Sequence, residues 1–112
     1  MTPTQFRRLA LNLPEAIESS HMNHPDFRVG GKIFATLGPK EDWGMVKLTP
    51  KQQAELVKKH PQAFEPLNGT WGRKGCTKVL LKTATKAAVT PAIVAAWTNI
   101  APQRLLDESG DA

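Results

Sequence analysis

An α+β fold, an antiparallel sheet with helices packed on one face, is what this sequence of 112 residues predicts. Three observations lead there. Apolar residues recur at the three-and-four spacing of a helix near both ends and in the middle of the chain, whereas the stretches between them alternate with the two-residue period of strands. Two of the alternating runs are joined by Gly30-Gly31, a tight-turn signal. Thr49-Pro50 and Thr90-Pro91 each pair a capping hydroxyl with a proline suited to the first helical position. Helices interleaved with antiparallel hairpins pack as a layer against one side of the sheet.

Each element follows from local chemistry. Thr2 or Thr4 can cap a first helix with Phe6, Leu9, Ala10 and Leu13 on one stripe, ended by Pro14. Glu15 to Met22 alternates weakly and is expected to form a first strand. Phe27 and Val29 alternate with Arg28, and beyond the glycines Ile33, Ala35 and Leu37 alternate with Lys32, Phe34 and Thr36, which predicts a hairpin with Arg28 and Lys32 flanking its tip. Trp43 to Leu48 resumes the alternation, with Val46 and Leu48 on one face and Met45 and Lys47 on the other. A helix from Thr49 to about His60 would turn Ala54, Leu56 and Val57 inward, and Pro61 to Asn68 reads as a connector. Cys76 to Lys82 predicts a half-buried strand with Lys78, Leu80 and Lys82 outward and Thr77, Val79 and Leu81 inward. The last helix carries Ile93, Val94, Ala96, Trp97 and Ile100. It is placed from Thr90 and not from Thr85, because the earlier start would put Pro91 inside it at about 3 kcal/mol.

The size suits one domain, 1–106, followed by a short acidic tail, 107–112, with Asp107, Glu108 and Asp111. Apolar content of 40% and charged content of 22% are those of a folded protein. No apolar run reaches the roughly 20 residues that a membrane span needs, and Met1 to Gln5 lacks the pattern of a signal peptide, so a cytoplasmic monomer is expected. A single cysteine, Cys76, permits no intrachain disulfide and no thiolate cluster for zinc. His21 and His24 with Glu18 and Asp26 fall short of a metal-ligand pattern, and neither a metal nor any other cofactor is expected. Ser19 and Ser20 lie in no nucleophile motif, so no enzymatic activity is expected.

Charge is distributed more tellingly than its total of +5. Residues 1–65 carry nine basic and seven acidic side chains, whereas residues 66–106 carry six basic (Arg73, Lys74, Lys78, Lys82, Lys86 and Arg104) and no Asp or Glu. Spaced cations of this kind can neutralise phosphates and release counterions. Lysines on strands also serve simply to keep sheet edges solvated. Trp71 and Trp43 could stack on bases if exposed; burial is the commoner fate of so large a side chain, and Trp71 reads as a core anchor, as Trp97 does. Cys76 beside Arg73, Lys74 and Lys78 reads either as a thiol of lowered pKa or as a small core residue.

Several runs resemble the MmcQ/YjbR-like proteins, whose fold is related to the frataxin-like CyaY group. They are Phe6 with Leu11-Asn12-Leu13-Pro14-Glu15, the run from His24 through Phe27-Arg28-Val29-Gly30-Gly31-Lys32-Ile33-Phe34 to Ala35, and His60-Pro61-Gln62-Ala63-Phe64. Trp71-Gly72-Arg73-Lys74-Gly75, Ala96-Trp97 and Ala101-Pro102 complete the set. The resemblance implies a CyaY-like α+β domain carrying a double-wing DNA-binding label. On this chain the first wing would be Arg28, Gly30, Gly31 and Lys32, and the second Arg73, Lys74 and Gly75. Cys76 stands where tryptophan is expected in many relatives. Together the residues predict DNA contact at Arg28, Lys32, Arg73, Lys74, Lys78 and Lys82 with little sequence preference. The alternative is a protein partner docked on an exposed sheet face through Phe34, Trp43 and Leu80.

Overall fold

In the computed structural model, residues 1–110 are described, with side chains described through Asp107. Asp111 and Ala112 of the expected acidic tail lie outside the described residues. The order is α1 (Pro3–Leu11), β1 (Ile17–His21), β2 (His24–Val29), β3 (Lys32–Leu37), β4 (Gly44–Lys47), α2 (Pro50–Lys59), β5 (Phe64–Pro66), α3 (Gly69–Arg73), β6 (Cys76–Val79), α4 (Lys86–Ile100) and α5 (Gln103–Gly110). Among the described residues the six strands form one antiparallel sheet in the order β1-β2-β3-β4-β6-β5.

The threonine-proline starts behave as their chemistry requires. Thr2 and Thr49 each accept a hydrogen bond from the backbone N–H three residues on, and Gln5 and Gln52 reach back to the cap, which closes a capping box at both helices. Thr90-Pro91 behaves otherwise. Helix α4 starts at Lys86 under a Thr85 cap, so Pro91 lies inside it, against the start expected at Thr90. The earlier start wins because it places Ala88 and Val89 in the core beside Ala92, Ile93, Ala96 and Trp97, and their burial offsets the hydrogen bond that proline cannot donate.

Gly30 and Gly31, at φ +59° and +79°, make the expected two-residue turn between β2 and β3. The β1–β2 connection is a second such turn, made by Met22 and Asn23 at φ +47° and +65° without glycine, and it pairs His21 with His24. Strand β3 departs from simple alternation. Phe27 pairs with Ala35 and Arg28 with Ile33, so Phe34 is an extra residue between them. This bulge turns Phe34 into the core with Ala35 and Leu37, and moves Ile33 to the opposite face.

Helices α1 and α4 cover one face of the sheet. Phe6 of α1 lies over Gly44, where a Cβ would meet its ring, and α4 packs on β3 and β4. Phe27, Ala35, Leu37, Val46, Val79 and Phe64 point into this layer, and Trp97 joins it while donating its indole N–H to the Pro14 carbonyl. Helix α2 leans on the β5–β6 edge with Leu56 and Val57 partly buried; Ala54, expected inward, is exposed. The stretch expected as a connector holds β5, and α5 continues the chain into the expected tail with Leu105 buried. Among the described residues no helix is long and apolar enough to cross a membrane.

Candidate functional site

The face away from α1 and α4 carries the row Ser19, Asp26, Thr36, Met45, Lys78 and Glu65, one residue from each strand in register. Its chemistry begins with Asp26, which is fully buried. Asp26 Oδ1 accepts from Arg28 Nε at 2.8 Å, and its Oδ2 accepts from Arg28 Nη2 at 3.1 Å and lies 2.8 Å from His21 Nδ1. The Arg28 guanidinium holds the Asp26 carboxyl below the usual range, with His21 adding to the effect. The same pairing raises Arg28. His21 stacks on His24, which in turn meets Trp43 edge-on. Glu18, the fourth of the acidic and histidine residues weighed as ligands, sits on the other side of β1 and pairs with Arg7.

Between the histidines and α3 the open face sinks into a hollow of about 310 Å³. His21, His24 and Trp43 form one end, Ile33, Thr36 and Met45 the floor, and Lys47, Cys76, Leu67 and Trp71 the other end. A second hollow, about 300 Å³, shares Lys47, Trp71 and Cys76 and adds Lys74 and Asn99. Trp71 is therefore a wall between two hollows. It is 62% exposed, which overturns its expected place as a core anchor.

The reason lies in α3, which the sequence did not announce. Trp71 precedes Gly72, which is buried so tightly that a Cβ there would overlap the Leu67 carbonyl, and Gly75, at φ +110°, lies against the Leu48 carbonyl in the same way. Gln53 Nε2 donates to the carbonyls of Gly72 and Cys76, at 3.0 Å each. This short helix is thus fixed by its backbone, and the tryptophan just ahead of its anchored glycine points outward.

The six basic residues expected to contact DNA do not form one cluster. Arg28 turns along the sheet to Asp26 and away from the hairpin tip; Lys32 is exposed at that tip, and Gly30 rests against Pro102. Arg73 ends α3 and Lys74 is its C-cap, so the second expected wing is a helix terminus and not a β element. Arg73 donates to the Thr70 hydroxyl, and the Lys74 ammonium lies 5.4 Å from the centre of the Trp71 ring. Lys78 lies 5.4 Å from the Trp43 ring and 3.7 Å from Glu65. Strand β6 ends at Val79, short of the expected Lys82, which is exposed in the following turn at the opposite end of the sheet from Lys32. The acid-free run is also less bare in space than in sequence, because Glu65 reaches Lys78 and Glu15 grips Arg104 through two hydrogen bonds.

Lys47, outward on β4 as alternation predicts, pairs directly with Cys76. Lys47 and Lys74 both act electrostatically on the Cys76 thiol, yet its pKa is raised, because burial outweighs the two cations. Cys76 is accordingly a core residue and not an activated thiol. The two lysines and Trp71 therefore converge at the Cys76 end of β6, and among the described residues no Asp or Glu lines either hollow.

A family model described as YjbR matches residues 11–99. The chain belongs to the YjbR family. No curated protein matches the sequence. Among solved structures, the chain is similar to the crystal structure of Deinococcus radiodurans protein DR2400, a DUF419 domain, at a TM-score of 0.70 and 20% identity, covering 86% of this chain and 75% of that one. That likeness shows that this YjbR member shares the α+β fold of DR2400.

Proposed function

We propose that this YjbR domain binds DNA, with Lys47, Arg73 and Lys74 holding the phosphate backbone at the Cys76 end of the open sheet face and with little preference for sequence. The observation that carries the reading is the convergence of Lys47 and Lys74 on hollows that no described acidic side chain lines. Ammonium groups in such a place keep their charge available to a polyanion, whereas Arg28 and Lys78 already have carboxylate partners. Lys32 and Lys82, at opposite ends of the sheet, would add outlying contacts. The protein-docking alternative draws less support: of its three anchors, Phe34 is buried and Trp43 and Leu80 are half-buried.

Titration of duplex DNA at several salt concentrations tests the proposal. Affinity should fall by about 0.9 log unit per log unit of salt for each phosphate contacted, and Lys74→Ala or Lys47→Ala should each lower that slope by about 0.9, equally for unrelated sequences. No binding at low salt, or binding indifferent to salt, would refute it.

A further inference from the structure

We propose that Trp71 and the hollows on either side of it form a base-stacking site for single-stranded DNA, so that the domain holds an unpaired strand in preference to a duplex. This rests on the phosphate-contact reading above and adds what the bases do.

The first argument is that the exposure of Trp71 is built in. Gly72 and Gly75 press against the carbonyls of Leu67 and Leu48, and the Gln53 amide ties Gly72 to Cys76, so the backbone carrying the indole is fixed. A rigid aromatic side chain left 62% exposed on such a support loses little entropy when a ring is laid on it. The second argument is spacing. The larger hollow has an indole at each end, Trp71 and Trp43, with Met45 and Ile33 as an apolar floor. His24 extends the Trp43 end, its ring centre 6.1 Å away, and His21 extends it again at 5.6 Å from His24.

The third argument is that each indole has its own cation. Lys74 lies 5.4 Å from Trp71 and Lys78 5.4 Å from Trp43. A base stacked on Trp71 would bring its phosphate beside Lys74, and Lys47 lines both hollows, whereas Lys78 at the Trp43 ring is shared with Glu65. Rings for the bases and cations for the backbone are the pairing by which single strands are held without sequence preference. A duplex cannot use the rings, because its bases already stack on one another and freeing one costs a few kcal/mol.

The experiment is fluorescence anisotropy with the full chain and labelled oligonucleotides of about 12 residues, a length within reach of one small domain. Oligodeoxythymidine, a duplex of equal length and an oligomer with abasic sites are compared at low salt. Wild type should bind the single strand at least about tenfold tighter than the duplex. Trp71→Ala should weaken single-strand binding by roughly 5- to 150-fold, the range of one stacked base, while changing duplex binding less than about twofold. Trp71→Phe should recover most of the loss, and the abasic oligomer should bind wild type about as weakly as Trp71→Ala binds the intact strand. An unchanged melting temperature for Trp71→Ala, expected of an exposed side chain, keeps misfolding out of the comparison. Equal binding of duplex and single strand, or a Trp71→Ala variant that binds the strand like wild type, overturns the stacking site and leaves phosphate contact standing. No binding of any oligomer overturns both.

Discussion

Replacing Asp26 with asparagine should lower the stability of the domain and steepen the salt dependence of DNA binding together. Asp26 is fully buried and accepts two hydrogen bonds from Arg28, with His21 at 2.8 Å from the second oxygen. Asparagine keeps the shape but turns an amide N–H toward one set of donors, so charge-assisted bonds worth about 1.5 to 3 kcal/mol each are lost or weakened. Because one acceptor survives, the net loss should be about 2 kcal/mol, or roughly 10 °C in melting temperature for a domain of this size. The pH dependence supplies a second readout. The Asp26 carboxyl is held below its usual range, so its contribution is complete above the unfolded value of about 3.9 and disappears as pH falls through the lower folded value. The gap between wild type and Asp26→Asn should therefore stay level from about pH 7 to 5 and close below about pH 4. Arg28, released from its partner, should steepen the salt slope of DNA binding by up to about 0.9. Thermal melts across that pH range and salt titrations decide the matter. Equal melting temperatures at neutral pH, or a gap that persists in acid, would show that the Asp26 cluster does not hold the open face together.

Three further outcomes can be measured. Pro91→Ala restores a backbone N–H facing the Ala87 carbonyl at an exposed position inside α4, and should stabilise by about 1 to 2 kcal/mol in urea denaturation, the helix gain exceeding the extra unfolded-state entropy. Gly75→Ala forces a Cβ into the Leu48 carbonyl at φ +110° and should cost at least about 2 kcal/mol in the same assay. Cys76 is 7% exposed with its pKa raised by burial, so alkylation of the native protein at neutral pH should be at least about tenfold slower than in denaturant.

The places where local reading succeeded share a cause. Thr2 and Thr49 cap helices because the hydroxyl and the glutamine three residues later need nothing beyond their own turn. Gly30-Gly31 makes its hairpin because positive φ costs glycine little. Trp97 is core because its helix neighbours Ile93 and Ala96 are. Pro91 misled because a local cost was set against a burial gain that no local window contains. Phe34 and Ile33 exchanged faces because a bulge is a property of two paired strands, visible only in register.

The candidate site divides in the same way. Composition and spacing by themselves determined that the chain is an α+β domain, that its cations gather in residues 66–106, and that Lys47 and Lys78 face outward from their strands. Only the tertiary structure decided which of those cations keep a carboxylate partner, since Glu65 reaches Lys78 from a neighbouring strand and Glu15 reaches Arg104 across the fold. It also decided that Trp71 is exposed. Gly72 against the neighbouring Leu67 carbonyl, Gly75 against the distant Leu48 carbonyl and the Gln53 amide of α2 fix α3 in place, so steric exclusion between backbones, and not the hydrophobicity of the indole, sets where that side chain points.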